Sequence, residues 1–208
     1  MTESSLRLEN LVKVAIQLCR GDEQSLRHSF ETALRDGVTS TELREVILTS
    51  YLFDGYPTAI EGFRILSGLV PLSAPSIAPY DYSPSNVELW RERGGTLCRT
   101  IYGDRFDTLI SNSINNAPEL LPAMIVEGYG KVLARPELPI TERELVVVTI
   151  LAVKDRKRQL ESHIYGAVRV GVEQWQIDTL LTVLAKELPA DTHQTTAQLF
   201  QRAIRTLR

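Results

Sequence analysis

His163 and Glu144 are the residues of this chain whose types and placement could carry out proton transfer. An imidazole titrates near neutrality, so a histidine held on a helix can serve as general base or general acid. Leu160, Ile164 and Ala167 share its helical face, which turns His163 inward. An inward histidine has a second reading, as a core residue satisfied by one hydrogen bond. Glu144 could orient His163 and relay its proton. It also completes Thr141-Glu142-Arg143-Glu144, the T-x-x-E spacing of a capping box, in which its carboxylate would reach back to the Thr141 amide. Both readings of Glu144 are open at the level of sequence. Arg135 and Arg143 flank the same segment and could hold a substrate carboxylate through paired N–H donors, or form surface ion pairs. Tyr129 could line a pocket or pack in a core. His28 and His193 have no partners at metal-ligand spacing, and no glycine loop suited to phosphate is present, so no metal and no cofactor are expected.

The elements that must position these residues read as helices almost throughout, because apolar residues recur near every 3.6 positions and β-branched alternation is scarce. Helices are expected over residues 6–19, 23–36, 41–53 and 57–67, with Gly37 closing the second as a left-handed cap. Pro71, Pro75, Pro79 and Pro84 then exclude a regular helix and mark residues 71–85 as a linker. Beyond it, Ser85 with Glu88 has capping-box spacing and opens a helix to Tyr102. Helices over 104–114, 118–134, 141–153, 156–170, 174–187 and 191–207 complete the chain, and Gly171 stops the one that carries His163.

The chain repeats itself. Residues 11–48 laid on residues 145–182, an offset of 134, share nine identities in 38 positions, Leu11/Leu145, Ala33/Ala167 and Gly37/Gly171 among them. Both stretches run helix, short turn, helix, glycine stop, helix. At the same offset Glu144 falls on Asn10 and His163 on Ser29. Both reactive residues are thus missing from the first copy while the apolar framework persists. The expected division is a degenerate first repeat over 1–70, the linker, and a second domain over 86–208.

Bulk composition narrows the function classes. The 208 residues carry a net charge of −3, with Lys and Arg scattered among Asp and Glu, so no nucleic-acid footprint is present. The longest apolar run, 145–153, is too short to span a bilayer. The opening MTESSLRLEN lacks a basic and apolar leader, so a cytoplasmic protein with no membrane partner is expected. Cys19 and Cys98 suggest no disulfide framework.

Residues 159–177, QLESHIYGAVRVGVEQWQI, resemble the signature segment of the carboxymuconolactone decarboxylase and alkylhydroperoxidase D superfamily. RPELPITERELVVVTILAV at 135–153 resembles its lead-in helix, RERGGTLCRTIYGDRF at 91–106 its opening stretch, and residues 41–63 its closing helix with Gly55-Tyr56-Pro57. The resemblance implies an all-α fold of duplicated helical units, assembly into trimers or hexamers, and a site built on Glu144 and His163. It places the two thiols of the peroxidase branch at Arg156 and Gln159, neither of which can attack peroxide or resolve the product, so a thiol peroxidase is not expected. The decarboxylase branch needs no thiol. Here it implies a cofactor-free decarboxylase or lyase acting on a small organic acid or lactone. His163 would move the proton, Gln159 would donate a hydrogen bond, and Arg143 or Arg135 would hold a carboxylate. The rival expectation is a non-catalytic oligomerising or ligand-binding module of the same fold. Gln159 stands where that branch has an acid, and LAKELPADTH replaces the closing G-x-P segment in the second copy, which points to an altered pocket.

Overall fold

A computed structural model describes residues 2–71 and 81–207; most of the linker, including Pro75 and Pro79, lies outside the described residues. All regular elements among the described residues are helical. In chain order they are α1 (Glu3–Arg20), α2 (Glu23–Arg35), α3 (Ser40–Asp54), α4 (Tyr56–Ser67), α5 (Pro84–Tyr102), α6 (Phe106–Asn116) and a short α7 (Leu120–Pro122) that widens into a π-helix (Ala123–Leu133). Then follow α8 (Ile140–Val153), α9 (Lys157–Arg169), α10 (Gln174–Glu187) and α11 (Ala190–Leu207). No helix among the described residues is long and apolar enough to cross a membrane.

The chain forms two compact units, and they do not follow the expected division at 70 and 86. Residues 1–74 and 137–208 make one unit; residues 75–136 make the other. The physical reason is α8. Its sequence is apolar on every side, and each residue from Glu142 to Ala152 is buried. A helix with no polar face cannot sit at an edge. It is surrounded instead by α1, α3 and α9, so the two similar stretches share one core. Leu11, Val14, Leu18, Phe30, Val46 and Ile47 pack in the same cluster as Val146 and Ile150.

Within this unit the offset of 134 carries whole elements. It moves the bounds of α2 onto those of α9, and the first residues of α3 and α4 onto those of α10 and α11. The helix stops correspond as well. Gly37 and Gly171 take φ of 91° and 92°, a region closed to most side chains. The next amides, of Val38 and Val172, donate to the carbonyls of Ala33 and Ala167 at 2.9 and 3.0 Å, the pattern that satisfies otherwise unpaired terminal carbonyls. Gly21, at φ 74°, corresponds to Asp155, which is at φ 50° without being glycine.

In the second unit α5 lies against the π-helix, backbone to backbone. A Cβ on Gly94 would collide with the carbonyl of Ile125, and one on Gly130 with that of Trp90. The helix start expected at Ser85 is set by its neighbours instead: Ser83 is the N-cap and Pro84 takes the first turn, so no Ser85 capping box forms.

Candidate functional site

Glu144 sits in the second turn of α8, and the α8–α9 hairpin folds His163 back against it. The turn is tight: Asp155 adopts a left-handed conformation, and the Arg156 amide donates to the Leu151 carbonyl at 2.9 Å. The result is a hydrogen bond of 2.9 Å between His163 Nδ1 and Glu144 Oε2. An ionised carboxylate can only accept, so Nδ1 is the nitrogen that carries the proton in such a pair. Both side chains are buried, His163 at 3% and Glu144 at 0% exposure. The second carboxylate oxygen, Glu144 Oε1, is buried with no hydrogen-bond partner among the described residues.

The capping-box reading of Glu144 is not what forms. Pro139 is the N-cap residue and makes no side-chain cap. Its extended ψ of 140° starts the helix at Ile140, so Thr141 is already inside the first turn and the Glu144 carboxylate turns to His163. A reciprocal capping box of the same T-x-x-E type is found in the first copy, between Thr39 and Glu42.

The other expected site residues have surroundings of their own. Arg143 is fully buried and engaged inside the protein. Its Nη2 donates to Glu45 Oε2 at 3.0 Å and its Nη1 to Thr49 Oγ1 at 3.3 Å. A guanidinium already bonded to an internal carboxylate is not placed to take up a substrate carboxylate, which corrects the expectation for Arg143. Gln159 is exposed on α9, one helical turn before His163. Tyr129 and Arg135 belong to the other unit, where Tyr129 meets Tyr102 edge-on at 6.3 Å. Arg156 is exposed at the turn.

Two residues of α3 reach the site without having been singled out by sequence. Phe53 stands edge-on to the His163 ring, with centroids 5.3 Å apart and planes at 89°. Glu45, at 0% exposure, neutralises Arg143. The signal available in the sequence was a stripe, Glu45, Thr49 and Phe53 at four-residue spacing, which lies on one helical face.

At the corresponding corner of the first copy, Asn10 on α1 and Ser29 on α2 replace the pair. Asn10 Nδ2 donates to Asp36 Oδ2 at 2.9 Å. Asn10 and Ser29 line a cavity of about 460 Å³ with Lys13, Gln17, His28 and Glu187. The third-helix residue in this corner is Glu187 of α10, and Glu187 is Phe53 displaced by 134. The ends of these helices are tied reciprocally. Arg20 of α1 bonds Glu187 at 2.8 Å, and Lys154 at the end of α8 bonds Asp54 at 2.6 Å. Each corner is thus made from two helices of one copy and the third helix of the other. Among the described residues, no group of three or more His, Cys, Asp or Glu is arranged to hold a metal ion.

Comparison with known proteins finds two similarities. Residues 119–186, the stretch from α7 through most of α10, match the model of the carboxymuconolactone decarboxylase family. A relative among characterised proteins is Peroxisomal protein 2 of Saccharomyces cerevisiae, 26% identical over 166 residues. That alignment covers 68% of this chain but 58% of the yeast protein, so the chain spans little more than half the length of this relative.

Proposed function

Because residues 119–186 match the model of the carboxymuconolactone decarboxylase family, we propose that the chain is a cofactor-free proton-transfer enzyme of that family, a decarboxylase or lyase acting on a small organic acid or lactone. The observation that carries this reading is the buried hydrogen bond of 2.9 Å between Glu144 and His163. A carboxylate on Nδ1 fixes the imidazole tautomer and leaves Nε2 as the basic nitrogen that meets the substrate. In a decarboxylation the C–C bond breaks, its electron pair stays on carbon as an enolate, and CO2 departs. His163 then delivers a proton to that carbon, and Glu144 steadies the imidazolium whenever Nε2 is protonated. Gln159, exposed one turn away on α9, donates a hydrogen bond to the arriving substrate.

One observation favours a second reading. His163 is 3% exposed and Glu144 not at all, as expected for a pair that fixes the register of a core. In that reading the fold is a ligand-binding or oligomerising module. His163→Ala separates the two. The enzyme reading predicts loss of turnover on small lactones or unsaturated diacids found by a thermal-shift screen, with the helical fold retained. Undiminished turnover contradicts it. The same proposal includes a trimer or hexamer, read by light scattering, and a cytoplasmic location. Against that location stands the name of the yeast relative, and fractionation of cells separates cytosol from peroxisome.

A further inference from the structure

We propose that Phe53 is a positioning residue of the Glu144–His163 pair, delivered by the first copy, so that the copy lacking the reactive residues completes the site of the copy that keeps them. The proposal rests on the reading of that pair as reactive. Three contacts from one face of α3 support it. Glu45 and Thr49 bind Arg143 at 3.0 and 3.3 Å, and Arg143 is the residue next to Glu144 in α8. Two turns after Glu45, Phe53 meets the His163 ring at 5.3 Å and 89°. Glu45, Thr49 and Phe53 recur at four-residue intervals, so a single helix face addresses both His163 and Arg143, the neighbour of Glu144 in α8.

The physical effect of Phe53 follows from ring geometry. An imidazole rotates about two torsions, and only one arrangement aims Nδ1 at Glu144 Oε2. A perpendicular aromatic contact is a favoured arrangement and blocks rotation of the imidazole through the space the phenyl ring fills. Glu144 is itself fully buried, and its Oε1 has no hydrogen-bond partner among the described residues. The corner of the first copy supplies the contrast. There the corresponding residue is Glu187, held by Arg20 at 2.8 Å, and an open cavity of about 460 Å³ takes the place of the ring contact.

The test is a nitrogen-15 long-range correlation spectrum of the full chain, which has three histidines, for the unsubstituted protein, Phe53→Leu, Phe53→Met and Phe53→Tyr. The unsubstituted protein is expected to show one histidine as a single tautomer protonated at Nδ1, absent in His163→Ala. Leu and Met fill much of the same space without a ring and should convert that signal to an averaged tautomer pattern. Tyr keeps the ring and should restore it. Two ring-free variants guard against one failing to fold, and melting curves on the same samples establish which are folded. Retention of the Nδ1-protonated signature in a folded Leu or Met variant overturns the proposal, as does its loss in folded Tyr. Turnover of His163→Ala is measured alongside. If that variant keeps full turnover while the spectra behave as expected, the catalytic reading falls and the positioning role stands; if it is inactive while the spectra do not respond to Phe53, the reverse holds.

Discussion

Two corners of the first unit occupy corresponding places in its helices and have become chemically different. In one, Glu144 and His163 meet at 2.9 Å, buried beneath Phe53. In the other, Asn10 and Ser29 line an open polar cavity of about 460 Å³ beside Glu187. The backbone devices are the same in both: the glycine stops at φ near 91° and 92°, and the five-residue hydrogen bonds that follow them. The helical arrangement alone therefore does not place a Glu–His pair. Under the proposed function, chemistry depends on three side chains from three helices, one of them contributed by α3. A substitution at any one of the three separates the corners or brings them closer.

The largest effect is expected at Glu45. Its carboxylate and Arg143 are both fully buried, and Glu45→Ala would take the carboxylate away from a guanidinium held in the core. Removing one partner of a buried pair costs about 3–5 kcal/mol, read as a large fall in the denaturation midpoint. The analogous positions in the other corner hold no such pair; Glu9, which corresponds to Arg143, binds Lys13 on the surface at 2.7 Å. A melt of Glu45→Ala within a degree or two of the parent would show that the buried network does not hold α3 to α8.

Next in size is transplantation. Asn10→Glu with Ser29→His installs the pair in the first copy without its aromatic neighbour. With the second copy disabled by His163→Ala, no turnover is expected from the transplant, because the new imidazole faces the open cavity and Glu187. Turnover in that variant would show that the framework alone suffices. Asn10→Ala by itself loses the bond to Asp36 and should cost about 1 kcal/mol, less than Glu45→Ala, in the same melts.

Electrostatics at the helix ends give two smaller, pH-dependent effects. Burial, reinforced by the Asp54 carboxylate and opposed by Lys154, pushes the Cys19 thiol up to about 12. Its thiolate fraction near neutrality is therefore small, and alkylation of native protein should be much slower at Cys19 than after denaturation. Fast native alkylation of Cys19 would contradict that upward shift. For Glu42, burial raises the carboxyl, but bonds from the Thr39 amide and from Arg7 outweigh it and hold the group below its ordinary value. A carboxyl depressed in the folded state stabilises fully above its unfolded pKa and loses that contribution as pH falls through the native value. Glu42→Gln should then flatten the acid limb of the stability profile, and an unchanged limb would contradict the assignment. The surface pair supplies the smallest effect: Lys13→Ala should cost a few tenths of a kcal/mol, in line with about 0.3–0.5 kcal/mol for such helical pairs.

Much of this architecture was legible in the sequence. The run Leu145–Val153 has no polar stripe, which marks a helix enclosed on all sides, and Gly37 and Gly171 marked two helix ends. The same local patterns left Glu144 open between two readings, because T-x-x-E reads identically whether a cap forms or Pro139 stands at the N-cap. Arg143 was misread for a different reason. Its partner Glu45 lies 98 residues away, and no local signal pairs them. Phe53 was invisible as a site residue because the repeat was read as one active and one inert copy, whereas the third helices cross between copies. The division into compact units was also non-local, since it follows from what α8 is buried against and not from the proline-rich segment between the copies.

The most direct test of the central claim is hydrogen–deuterium exchange at carbon, followed by proton NMR in heavy water, on a small lactone or unsaturated acid selected by thermal shift. Protein-dependent exchange of the proton next to the carbonyl is expected, lost at least about a hundredfold in His163→Ala, within the range general acid–base groups contribute. Exchange that persists at the parent rate in His163→Ala would contradict that claim.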